Sequence, residues 1–106
     1  MPEPDDRTTM DYNVTVIGGR LATSPEAITD AAHPTAARLL VEVKSDYPRV
    51  RHDLVPVVDP NYDPTTPFNA GELVWVVGSL QRRFSARTGQ GRLEIVASYV
   101  SAQVDH

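Results

Sequence analysis

The chain has 106 residues, no cysteine and a formal net charge of −4. At that length it makes one domain with a modest core, and without cysteine it has no disulfide, no thiolate metal site and no thiol nucleophile. The polar, acidic start MPEPDDRTTM is no secretory signal, and no apolar run approaches the ~20 residues of a membrane-spanning helix, so a soluble, cytoplasmic protein is expected.

Charge is spread unevenly along the chain. Residues 1–11 hold Glu3, Asp5, Asp6 and Asp11 against Arg7 alone, whereas residues 12–104 balance nine acids with nine bases. Two prolines and the lack of an apolar period in residues 1–11 predict a flexible acidic tail ahead of a domain over residues 12–104. Residues 13–21, NVTVIGGRL, read as a first strand with Val14 and Val16 on one face. The pair Gly18-Gly19 within it predicts a bulge or the sharp bend of a small barrel.

Residues 22–35 are small and polar, with turn signals at Ser24-Pro25-Glu26 and His33-Pro34. Residues 27–32 have room for one helical turn, too short to be stable alone. Residues 37–44 alternate cleanly, Ala37, Leu39, Val41 and Val43 against Arg38, Leu40, Glu42 and Lys44, which predicts a second strand with one buried face. After a turn at Ser45-Asp46-Tyr47-Pro48, residues 49–58 form a third strand. Pro56 has no N–H for a ladder, which puts that end at an edge or outside the sheet.

Residues 59–70 contain three prolines and no regular helix is expected there. Residues 72–80, ELVWVVGSL, and 92–100, RLEIVASYV, are rich in Val, Ile, Leu and aromatics and predict a long antiparallel hairpin closed by Thr88-Gly89-Gln90-Gly91. Between Val76 and Leu93 there is no acid, but there are Arg82, Arg83, Arg87, Arg92 and Phe84. Five strands with little or no helix make an all-β domain, a small closed barrel or a sandwich.

Taken together, Gly19-x-Leu21-x-x-x-Pro25-Glu26, Gly71-x-x-Val74, Gly78-x-Leu80-x-x-Arg83-Phe84 and the run Leu93-Glu94-Ile95-Val96-Ala97 after Gly89 and Gly91 resemble the bacterial single-stranded DNA-binding proteins and their small relative, the primosomal protein PriB. The resemblance covers residues 12–104. It implies a five-stranded oligonucleotide-binding (OB) Greek-key barrel with a long hairpin between its fourth and fifth strands, and no enzyme. The ligand surface would be the face of the second and third strands with the 1-2 and 4-5 loops. It also implies single-stranded DNA as partner, with RNA left open, a homodimer or homotetramer, and association with the nucleoid.

In that family bases stack on aromatic side chains. By the resemblance Tyr47 stands at the first such position and Phe84, after a one-residue gap, at the loop position. The two third-strand aromatics are replaced by Arg51 and Val57. The chain ends Val-Asp-His, without the acidic Pro-Phe tip by which family members recruit replication and repair proteins.

The expected contacts are therefore Tyr47, Arg49, Arg51, Arg82, Arg83, Phe84 and Arg87, joined by Trp75 and Arg92. Arginine supplies charge and planar donors to phosphate, and aromatic rings supply stacking. Each has a plainer explanation: a solvated hairpin for the arginines, core or subunit packing for Trp75, and turn packing for Tyr47. His52 and Asp53 are strand neighbours and point to opposite faces, so they form no acid-base pair. Histidines at 33, 52 and 106 make no close-spaced ligand set, and no cofactor or catalytic constellation is expected. The alternative function is an OB barrel that has lost most nucleic-acid binding and serves as an interaction or assembly module.

Overall fold

The computed structural model describes residues 11–28, 35–84 and 89–103. Most of the expected acidic tail, four of the six residues of the expected helical turn, His33, His106 and Arg87 lie outside these residues. The described strands are β1 (Thr15–Leu21), β2 (Glu26–Ala27), β3 (Ala37–Ser45), β4 (Arg51–Asp59), β5 (Leu73–Phe84) and β6 (Gly91–Ala102), and no helix occurs among them.

The sheet order is β1-β5-β6-β4-β3-β2, with a further β1–β3 pairing. Five strands therefore close on themselves as β1-β5-β6-β4-β3-β1. The two-residue β2 is an addition on the edge of β3, pairing Glu26 with Arg38 and Ala27 with Ala37. All pairings are antiparallel except β4 with β6, which run parallel through Val57↔Ile95 and Val58↔Val96. The architecture is the OB-fold Greek-key barrel that the strand order predicts.

Alternation decides what the barrel encloses. Ala37, Leu39 and Val41 of β3 point inward with Val57 of β4, Val74 and Val76 of β5, Ile95 and Ala97 of β6 and Leu21 of β1, and these residues make the core. Truncating a fully buried member such as Leu39 to Ala costs about 2–5 kcal/mol. Val14 and Val16 do share a face, but it is the outer one; the inward residue of β1 packed against the core is Ile17.

β1 passes from β5 to β3 within its own length, pairing Gly19 with Val74 and then Arg20 with Glu42. Gly19 lies at that crossing, where a β-carbon would run into the Glu42 carbonyl oxygen. Thus the bend expected at the glycine pair is a close crossing of backbones. The bulge is elsewhere: Ser98 of β6 is the extra residue, opposite the step from Val77 to Gly78 of β5. There the Ser98 hydroxyl donates to the Val77 carbonyl at 3.1 Å, satisfying a group that the register shift leaves out.

Pro56 sits inside β4, opposite Leu40. Its strand tolerates it because the ladder to β6 covers only Val57 and Val58, so the remainder of β4 has β3 as its one neighbour and needs no second row of donors. The Pro-rich connection is built from turns. Asp63 accepts from the Thr65 hydroxyl at 2.6 Å, the Thr65 N–H at 2.9 Å and the Thr66 hydroxyl at 3.1 Å. These bonds, the Thr65 hydroxyl foremost, hold the carboxyl below its ordinary range. Tyr62 and Phe68, with ring centroids 6.4 Å apart, pack against the core from this segment.

Candidate nucleic-acid interface

The β5–β6 ladder runs from Val74↔Ala102 out to Phe84↔Gly91, farther than the apolar runs suggest. Arg82, Arg83 and Phe84 thus belong to a strand, and period-2 alternation divides them. On the phase that continues the barrel interior lie Leu80, Arg82 and Phe84, opposite Ile95, Leu93 and Gly91. Both the Arg82 and Phe84 side chains approach the point where a β-carbon of Gly91 would stand. On the outer phase lie Gln81 and Arg83, opposite Glu94 and Arg92. The sequence-predicted cluster is therefore two surfaces, one of Arg82 with Phe84 and the other of Arg83 with Arg92.

β1 pairs with β5 no farther than Thr15↔Gly78. Beyond this point the side chain of Asn13 takes over the edge, its Nδ2 donating to the Leu80 carbonyl and its Oδ1 accepting from the Leu80 N–H, both at 2.8 Å. Among the described residues, the hairpin from Gln81 outward is a two-stranded ribbon. Arg51 is paired with Asp53, whereas Arg82, Arg83 and Arg92 have no ion-pair partner among the described residues, although Glu94 shares the outward face with Arg83 and Arg92.

The turn between β3 and β4 emerges at the same end of the barrel. Extending the parallel register Val57↔Ile95 backward along both strands brings the start of β4 level with the start of β6. Tyr47, in that turn, is 90% exposed, and Arg49 is exposed beside it. Arg51 is engaged: its Nη2 donates to Asp53 Oδ1 at 2.9 Å, and this bond, with the Asp53 charge, raises the guanidinium pKa. A phosphate at Arg51 must compete with that carboxylate.

Trp75 stands apart. It is 48% exposed, outward on β5, so it is no core residue. Its ring covers Gly18, where a β-carbon would come within 2.5 Å of a ring carbon. Eight residues of strand separate it from Arg83, about 26 Å at ~3.3 Å per residue. Around it, Val16↔Val77 and Val77↔Tyr99 make one row across β1, β5 and β6. Val14, Val16, Trp75 and Tyr99 are all exposed there, an apolar face that the sequence patterning did not flag, because it occupies the outward phase of strands whose inward phase is also apolar.

β4 corrects the positions expected for the two third-strand aromatics. Val57 is sealed in the core at 0% exposure, and Arg51 shares its inward phase, so the pair does not stand on the outer wall. The outward residues of β4 are His52, Leu54, Pro56 and Val58, with Leu54 57% exposed. None is aromatic in the carbocyclic sense, and the His52 Nδ1 lies 3.3 Å from Glu42 Oε1 across the ladder. Among the described residues no group of three or more His, Cys, Asp or Glu is arranged to hold a metal ion, and no helix is long and apolar enough to cross a membrane.

A closed barrel with two hairpins leaving one end defines the fold: an OB-fold barrel. Solved structures agree on the fold. The dimeric N-terminal domain of PriB from Thermoanaerobacter tencongensis superposes with a TM-score of 0.70 at 16% identity, over 88% of this chain and 98% of that one. The Plasmodium falciparum single-stranded DNA-binding protein in complex with single-stranded DNA gives 0.70 at 18% identity, over 90% and 97%. A small single-stranded DNA-binding protein of Streptomyces coelicolor gives 0.67 at 20% identity, over 91% and 96%. No protein-family model and no curated protein sequence matches the chain.

Proposed function

We propose that this chain binds single-stranded DNA, largely without sequence preference, through the β5–β6 hairpin and the β3–β4 turn. The observation that carries it is the projecting ribbon with Arg82, Arg83 and Arg92 exposed and free of carboxylate partners. Arg49 and Tyr47 add a cation and a ring from the neighbouring turn, Phe84 adds a ring on the ribbon, and Arg87 lies in the segment joining its strands. Arg51 contributes after exchange from Asp53. Phosphate contacts supply most of the affinity, and two aromatics supply stacking of about 1–3 kcal/mol each.

Trp75 has a different role, in association between copies of the chain. The face of Val14, Val16, Trp75 and Tyr99 offers apolar surface continuous across three strands, and the PriB domain of the same fold is dimeric. A dimer or tetramer joined there lengthens the path available to a bound strand.

Titration of a labelled oligo-dT across a salt series tests the proposal. The four hairpin arginines, Arg82, Arg83, Arg87 and Arg92, give a log-log slope near −3, from about −0.7 per phosphate contact, and engagement of Arg49 and Arg51 steepens it; single-stranded but not duplex DNA competes, and an RNA competitor sets the preference between the two. The absence of an aromatic carbocycle on the outer face of β4 favours a second function, a protein-interaction module, and failure to bind oligo-dT at low salt selects it.

A further inference from the structure

Between the base of the β5–β6 ribbon and the chain around β2 lies a groove of about 330 Å³, at the small end of the ~300–1,000 Å³ typical of ligand sites. Its floor is apolar: Val58 and Val96, partners in the parallel β4–β6 register, both pointing outward. Ile28 and Pro60 form one wall, and it is tied in place. The Ile28 N–H donates to the Ala36 carbonyl at 2.9 Å, and the Thr35 hydroxyl donates to the Pro60 carbonyl at 2.8 Å.

The other wall is polar. Gln81 and Glu94 are direct partners across the ladder, and Arg83 lies one outward position farther along β5. Glu94 is half-buried and has no hydrogen-bond or ion-pair partner among the described residues. Gln81 spends a donor on the Ser79 hydroxyl at 2.9 Å, which leaves its carbonyl oxygen as an acceptor. A slot with apolar sides, an acceptor-only carboxylate and flanking guanidinium groups suits a flat ring that carries adjacent N–H donors and is linked to phosphate. Among the DNA bases, guanine alone offers two neighbouring N–H donors, N1–H and N2–H₂, to a single carboxylate. Adenine and cytosine offer one amino group, and thymine one imino group between two carbonyls that the carboxylate repels.

We infer that this groove seats one guanine of a bound single strand, with Glu94 accepting from N1–H and N2–H₂ and with Arg83 and Arg92 holding the adjoining phosphates. The inference rests on the single-strand binding proposed above and adds base selectivity at one position of it. The test is anisotropy titration of a labelled oligo-dT, the same oligomer with one central deoxyguanosine, and the same with deoxyinosine, which keeps N1–H and lacks the 2-amino group. The guanine oligomer binds about tenfold more tightly than oligo-dT, the worth of a good two-point base contact, and the inosine oligomer falls between. Glu94→Gln removes the difference among the three and leaves oligo-dT affinity unchanged or raised. Equal affinities in the wild-type protein, or a guanine preference that survives Glu94→Gln, overturn the guanine site while single-strand binding stands. No binding of any of the three overturns both.

Discussion

Arg83 and Arg92 face each other directly across the β5–β6 ladder on the outer surface of the ribbon. Like charges at opposed positions destabilise a strand pair, by the same few tenths of a kcal/mol to about 1 kcal/mol that opposite charges contribute. An anion between them relieves the repulsion. The double variant Arg83→Ala with Arg92→Ala therefore lowers the magnitude of the salt slope for oligo-dT by about 1.4 and does not lower the melting temperature of the free protein. Arg82→Ala with Phe84→Ala, on the other face, loses about 0.7 of slope and one stacking contact. If the two double variants behave identically, the strand is not read by separate faces of the ribbon.

Trp75 is the only tryptophan in the chain, so intrinsic fluorescence reports on it alone. With the ring in a subunit contact, dilution shifts its emission to the red and saturating oligo-dT changes it little. Trp75→Arg then reduces the sedimenting mass to that of one chain, and oligonucleotide affinity falls only through lost association. Strong quenching by oligo-dT at constant oligomeric state returns Trp75 to the DNA-contacting residues.

The phase of β4 makes opposite predictions for two neighbouring substitutions. Leu54→Trp adds an outward ring to the wall beside the β3–β4 turn, and single-strand affinity rises by about 1 kcal/mol or more, the worth of one stack. Val57→Trp forces a ring into a filled core and destabilises folding by about 1–3 kcal/mol or more. Oligo-dT titrations and chemical denaturation of the two variants measure both.

Asp63 gives an acid-side effect on stability. Its carboxyl pKa is depressed in the folded chain by the Thr65 and Thr66 hydrogen bonds, so the unfolded chain takes up the proton first as pH falls. The contribution is fully present above the ordinary carboxylate range and is lost as pH drops through the lower folded-state value. Melting temperature followed against pH therefore falls more steeply for the wild type than for Asp63→Ala in the acid range. The two curves converge below the folded-state value, and parallel curves would show the turn to be uncoupled from folding.

A β-carbon at Gly19 meets the Glu42 carbonyl oxygen, a backbone atom that no rotamer change moves away. Gly19→Ala costs about 1–3 kcal/mol, measured by denaturation. Gly18→Ala meets the ring of Trp75 instead, and its signature is a shift in tryptophan emission.

The barrel was legible in the sequence because its second strand alternates without a break from Ala37 to Lys44, and the inward set Ala37, Leu39 and Val41 is fully buried. The strand order then followed from the placement of glycines and aliphatic residues. The division of the arginines was not legible. Gln81-Arg82-Arg83-Phe84 has the composition of a loop, yet it continues a strand because backbone pairing with the start of β6 does not require apolar side chains. Val57, matched by resemblance to a third-strand aromatic position, is sealed in the core instead, and its burial was not legible because in a strand the inside and the outside of a barrel are one residue apart. The apolar face around Trp75 and the groove below Glu94 depend on which strands become neighbours through non-local pairing, and local periodicity carries no record of that.

The ribbon beyond Leu80 has a thermodynamic consequence for its own affinity. With Asn13 guarding the last edge position and no third strand farther out among the described residues, the ribbon over residues 81–84 and 91–94 has the marginal stability of an isolated strand pair. If the hairpin holds single-stranded DNA as proposed, ordering the ribbon costs entropy that is subtracted from the affinity. A cross-strand pair of aromatic or β-branched residues placed on the ribbon away from the arginines therefore tightens binding by slowing dissociation, although it touches no nucleotide.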